Sequence, residues 1–124
     1  AITIVESGNA NNLTFRLIDN LRYKPDITLS GTMTAANFNS TSDARLKDNI
    51  ETLDGTKVYN MRGVSYTKDG KEESGVIAQE LQEIAPELVD NTGEYLTVSY
   101  GNLVGYLIEA VKDLKKEVEI LKNK

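Results

Sequence analysis

A chain of 124 residues with neither cysteine nor histidine excludes disulfides, thiolate or imidazole metal sites, and every serine–histidine or cysteine–histidine nucleophile. Its net charge of −5, from 14 basic and 19 acidic residues, argues against nucleic acid as the main partner. No apolar run approaches the roughly 18 residues of a membrane span, so no membrane insertion is expected. No signal peptide is expected either, because a basic segment followed by an apolar one is missing at the start.

Composition divides the chain near residue 42. Residues 1–41 hold three basic groups (Arg16, Arg22, Lys24) and three acidic ones (Glu6, Asp19, Asp26), and residues 27–42 carry no charge. The alternating pieces Ile2-Thr3-Ile4-Val5, Leu13-Thr14-Phe15-Arg16-Leu17 and Ile27-Thr28-Leu29-Ser30-Gly31 predict strands separated by Gly- and Asn-rich turns. Three or four such strands cannot close a sandwich, so 1–41 reads as the end of a β-rich stalk. Residues 42–124, with 11 basic and 16 acidic groups, carry the whole net charge.

The charged part predicts an α+β domain. Val58 to Thr67 suits a strand, and Lys68-Asp69-Gly70-Lys71 is a hairpin turn, since Asp-Gly favours the left-handed backbone such turns need. Ser74-Gly75-Val76-Ile77-Ala78 reads as a second strand entering a helix over Gln79–Ile84, which Pro86 ends or kinks. After a turn at Asn91-Thr92-Gly93 comes the longest element, a helix from about 98 to 122.

Along that helix Val104, Leu107, Val111, Leu114, Val118 and Leu121 alternate in steps of three and four, an a/d heptad seam that Tyr100 extends backwards. Glu117 and Lys122 then occupy g and e, five residues apart, the spacing of interchain ion pairs. The alternative is a helix that turns the same stripe to its own core. Leu103 and Ile108 widen the stripe near its start, as expected of a helix leaving a globular base. A modest core from two Phe, six Tyr and no Trp makes oligomerisation a natural source of stability. Tyr59, Tyr66, Tyr95 and Tyr106 read as core or interface aromatics.

Ser42-Asp43-Ala44-Arg45-Leu46-Lys47 sits on the compositional boundary. A serine and a lysine form a hydrolytic dyad without histidine, provided the lysine accepts a proton as a neutral amine. At a reference pKa of about 10.4 a lysine does this poorly near neutrality. Burial or a neighbouring cation must help, and Arg45 is the local candidate, whereas Asp48 would oppose it. Five residues apart, the two side chains face opposite sides of a strand and diverge by about 140° on a helix. The segment must bend between them, or the lysine comes from another copy. The competing reading is a solvated Ser-Asp turn followed by surface charges. The electrophile is the Thr41 carbonyl, and attack by Ser42 Oγ gives an ester that water hydrolyses.

Three ordered segments resemble one family. These are Ser42–Lys47; Gly75-Val76-Ile77-Ala78-Gln79-Glu80 with Pro86-Glu87-Leu88-Val89; and the terminal helix with Leu107-Ile108-Glu109-Ala110-Val111-Lys112. Together they resemble the C-terminal intramolecular chaperone, auto-processing domain of bacteriophage tail fibres, tailspikes and neck appendages, related to a domain of animal myelin regulatory factors. The resemblance covers residues 42–124. It implies a homotrimer with a coiled coil over about 98–122, assisting the folding of an upstream fibre or appendage on the same chain. It also implies autoproteolysis at Thr41–Ser42 by Ser42 and Lys47, once per chain and without cofactor or metal. Residues 1–41 would stay on the virion and 42–124 would be released in the host cytoplasm.

Two other functions remain open: a non-catalytic trimerisation module, and a receptor-binding fibre tip in which 1–41 contacts a host surface. Gln79 and Glu80 invite a catalytic role, but small residues and a helix start also suit the packing of a strand-to-helix junction.

Overall fold

The computed structural model describes residues 26–124 and divides the chain into two units, Ala1–Ser42 and Asp43–Lys124. The predicted strands at 2–5 and 13–17 lie outside the described residues. Residues 27–31 do not form the expected strand: residues 26–42 are exposed and have no helix or strand, with bends at 30–31 and 36. A strand satisfies its backbone only against a neighbour, and this uncharged segment has no paired strand among the described residues.

The second unit is mixed α and β. Within it Asp54 accepts hydrogen bonds from the Thr56 backbone N–H and hydroxyl (3.0 and 2.5 Å), which caps a 3₁₀ helix, Gly55–Asn60. The expected strand beginning at Val58 is therefore displaced, and strand β1 begins only at Val64. β1 (Val64–Lys68) pairs antiparallel with β2 (Lys71–Gly75) through the foreseen Asp69-Gly70 turn, both residues having positive φ (52° and 77°). Lys68 faces Lys71 across the turn and Val64 faces Gly75 at the base.

Helix α1 (Ala78–Ile84) follows, with Glu80 in its first turn, where a carboxylate complements the helix dipole. It stops at Ala85 because the residue before a proline is driven out of the helical region. Pro86 then opens a 3₁₀ turn, Pro86–Leu88. β3 (Val89–Asp90) and β4 (Thr97–Val98) make a short antiparallel ladder, prolonged by Ser99 N–H donating to the Leu88 carbonyl at 2.8 Å. A 3₁₀ turn, Tyr100–Asn102, leads into helix α2 (Leu103–Lys122), so the helix starts five residues later than the pattern suggested.

The core is small. Leu81, Ala85, Leu88 and Tyr106 are buried together, ringed by Val58, Met61, Val76, Val89, Val98 and Leu103, and Ala110 is buried one turn further along α2. Gly55 sets the approach of α2 to the Gly55–Asn60 segment. A Cβ there would stand 2.4 Å from both Ala110 N and Glu109 C, so only glycine lets the two backbones meet. One turn earlier, Gly105 accommodates Leu53 Cδ1 at 3.0 Å from where its own Cβ would be.

Candidate functional site

The serine motif forms a local turn. Asp43 caps a three-residue 3₁₀ helix, Ala44–Leu46, closed by hydrogen bonds from Leu46 N–H to the Asp43 carbonyl (3.0 Å) and from Lys47 N–H to the Ala44 carbonyl (3.1 Å). This is a bend within the segment that separates Ser42 from Lys47 in sequence. Asn49, at φ 53°, turns the chain again. Asparagine tolerates this left-handed region better than most residues.

Asp43 also holds Arg45. Its Oδ1 accepts from the Arg45 backbone N–H (2.9 Å) and Nε–H (3.1 Å), and its Oδ2 from Nη2–H (2.8 Å). The guanidinium's side-chain hydrogen bonds, then the backbone one, hold the Asp43 carboxyl below its ordinary pKa, and the carboxylate raises that of Arg45. The cation offered by the sequence as a perturber of Lys47 is thus committed to Asp43. Ser42 ends the first unit, Lys47 belongs to the second, and both are exposed, as is Thr41.

The block after the hairpin is packed for structural reasons. Tyr100 Oη accepts from the Val76 backbone N–H at 3.1 Å, and a Cβ on Gly75 would lie 2.5 Å from that oxygen. Gly75 is therefore the gap in which the Tyr100 hydroxyl sits. Tyr100, expected to extend the seam, lies in the 3₁₀ turn ahead of α2 and anchors the base of the hairpin. Glu80 receives a two-point bond from Arg62, Nε–H to Oε1 at 2.9 Å and Nη2–H to Oε2 at 2.6 Å, which lowers its pKa. Its carboxylate thus ties α1 to the segment entering β1. Sequence spacing gave no sign of this pair, because 18 residues separate the partners.

Of the tyrosines among the described residues, only Tyr106 is in the core. Its hydroxyl donates to Glu87 Oε1, and burial first, then that carboxylate, pushes its pKa up to about 12. Tyr59, Tyr66 and Tyr95 are exposed in the single chain.

The remaining seam residues share one condition. Val104, Leu107, Val111, Leu114, Val118 and Leu121 are all exposed, while the base is contacted by the adjacent stripe through Leu103, Tyr106 and Ala110. The reading in which the seam faces the chain's own core is therefore replaced by two stripes, one inward and one open. Among the described residues no helix is long and apolar enough to cross a membrane, and no group of three carboxylates gathers as a metal site.

Residues 42–90 match the family model described as chaperone of endosialidase, beginning at the motif serine. The chain is homologous to phage long tail fibre proteins. It is 34% identical to the long tail fiber protein Gp37 of Enterobacteria phage K3 over 134 aligned positions, covering 97% of this chain and 10% of that protein. With Gp37 of phage T2 it shares 38% over 104 positions (73% and 8%), and with that of phage M1 33% over 97 (66% and 39%). The chain thus spans about a tenth of the first relatives it matches. The match takes in the first two of the three motif segments and ends before the terminal helix, and the family it names is of the self-cleaving serine peptidase type.

Proposed function

We propose that residues 42–124 are a trimerising intramolecular chaperone that assists the folding of a phage fibre and then detaches by autoproteolysis between Thr41 and Ser42. The observation that carries this is a coincidence of boundaries. The family match starts at Ser42, the charge pattern changes there, and the chain divides into units between Ser42 and Asp43.

In the reaction, Lys47 Nζ as a neutral amine takes the proton of Ser42 Oγ while Oγ bonds to the Thr41 carbonyl carbon. Collapse of the tetrahedral adduct breaks the Thr41–Ser42 C–N bond, and the lysine ammonium returns the proton to the leaving Ser42 nitrogen. Water then hydrolyses the Thr41–Oγ ester to a Thr41 carboxylate and a free Ser42 hydroxyl. No cofactor enters. Backbone N–H groups are the natural donors to the oxyanion.

The open stripe of α2 supports trimerisation through Val104, Leu107, Val111, Leu114, Val118 and Leu121, with Glu117 and Lys122 placed for g–e′ pairs between copies. Three chains joined at one end raise their mutual local concentration and start the slow, long-range β pairing of a fibre in register. Residues 1–41 would remain with the virion appendage, and 42–124 would be left in the host cytoplasm.

A non-catalytic trimerisation module is the second reading, favoured by the commitment of Arg45 to Asp43. Denaturing mass spectrometry on the parent chain, Ser42→Ala and Lys47→Ala separates the two. Cleavage before residue 42 in the parent alone establishes the peptidase. An intact, trimeric parent establishes the inert module.

A further inference from the structure

Resting on that reading, we infer that Asp43 and Arg45 form a clamp whose purpose is to position the cleavage turn, making both of them positioning residues for the Ser42–Lys47 reaction. Packing does not hold the turn. No residue of Ala44–Leu46 is buried, residues 41–50 are exposed throughout, and only two backbone hydrogen bonds close the 3₁₀ helix. A single water-exposed 3₁₀ turn has poor hydrogen-bond geometry and no packing to select it. Against that background one carboxylate receives three N–H groups from Arg45, one from the backbone and two from the guanidinium.

The bonds divide two tasks. The bond to the Arg45 backbone N–H satisfies a donor that the short helix leaves orphaned, as an N-cap does. The two-point guanidinium contact fixes the side chain of the middle residue back over the cap, a planar match that lysine cannot reproduce. The ends of the clamped segment lead directly to Ser42 on one side and Lys47 on the other. Reactions between held groups are steep in position, and a displacement of about 1 Å can cost on the order of 100-fold in rate. An exposed ion pair contributes little to global stability. The clamp therefore makes sense as geometry for a reaction rather than as support for the domain.

This differs from an electrostatic role for Arg45. A guanidinium that tuned the lysine amine would be needed for its charge alone, and lysine at position 45 would serve. A clamp needs the fork and the carboxylate together.

The test measures the first-order cleavage rate, the melting temperature and the oligomer mass of the parent, Asp43→Ala, Asp43→Asn, Arg45→Ala, Arg45→Lys and the Asp43→Asn/Arg45→Ala double variant. The clamp predicts losses of about 10- to 100-fold in Asp43→Ala and Arg45→Ala, with melting and mass as in the parent. Asp43→Asn keeps the backbone cap but loses the charge, so it should fall to the level of Arg45→Ala, and the double variant should fall no further. Arg45→Lys should not restore the rate, and 1 M NaCl should slow the parent but leave Arg45→Ala unchanged.

Parental rates in Asp43→Ala or Arg45→Ala overturn the clamp while leaving the peptidase intact, as does full rescue by Arg45→Lys. Asp43→Asn cleaving like the parent reduces the role to backbone capping and overturns the clamp as well. Losses accompanied by lower melting or altered mass also overturn it, assigning both residues to folding instead. A parent that is never cut overturns both the peptidase reading and this one.

Discussion

The two halves of α2 solve different problems with one continuous helix. From Leu103 to Ala110 the helix has a partner in its own chain: Tyr106 and Ala110 are buried, Leu103 is half-buried, and Gly55 lies against the backbone at Glu109 and Ala110. From Leu114 onward every residue is exposed, including Leu114, Val118, Ile120 and Leu121. The surface pairs along it, Lys112–Glu109 at 3.5 Å and Lys115–Glu119 at 4.0 Å, add only a few tenths of a kcal/mol each. A helical end of this length, free in water, is marginal by itself. The first half is thus fixed by tertiary packing, and the second half carries an exposed apolar stripe, the surface assigned above to the proposed trimer. Damage to each half should therefore have separable consequences.

The largest effect is expected at Gly55. Valine there places Cβ 2.4 Å from helix backbone atoms that no rotamer change can move aside. The base should lose about 3 kcal/mol, the upper part of the usual overpacking range. Thermal denaturation followed by circular dichroism checks this. A melting temperature equal to the parent's would mean that α2 does not rest on this residue.

The outer half should fail differently. Leu114→Asp puts a charge into the open stripe and removes a side chain worth about 2 kcal/mol per chain when buried. Sedimentation velocity should show one-third of the parental mass. The base should keep its fold, because Leu114 is exposed and is not a member of the buried cluster. A trimer of unchanged mass would remove the seam from the proposed interface.

The contrast also explains what could be read from the chain. Period and turn chemistry carried the hairpin, the proline stop, α1 and the long C-terminal helix, because each depends on residues adjacent in sequence or one helical turn apart. The failures came where a partner far away in sequence decided the outcome. Val58 has strand periodicity, but the Asp54 cap starts a 3₁₀ helix whose first residue is shaped to a helix more than 50 positions later. Tyr100 fitted the heptad arithmetic, yet its hydroxyl is claimed by Val76 and the space above Gly75. Ile27–Gly31 has strand periodicity, but among the described residues no strand pairs with it. At the serine motif, residue types suggested the chemistry, whereas the three bonds from Arg45 to Asp43 emerged only from geometry.

Tyr106 gives the smallest effect and tests the packed half alone. Its hydroxyl, buried and donating to Glu87, has a pKa raised from 10.0 to about 12, so the folded chain holds that proton more tightly than the unfolded chain does. The resulting stability is fully present below pH 10 and is lost as pH rises towards 12. Tyr106→Phe removes the donor and should cost about 1.5 kcal/mol at neutral pH, the low end for a bond to a charged acceptor, because Glu87 stays in reach of water. It should also flatten the stability profile between pH 10 and 12. Urea titrations across that window compare the two proteins directly, and an equally steep alkaline loss in the variant would assign the titration to another group. Seam variants should leave this window unchanged, since Tyr106 and Glu87 meet on the inward stripe of the helix.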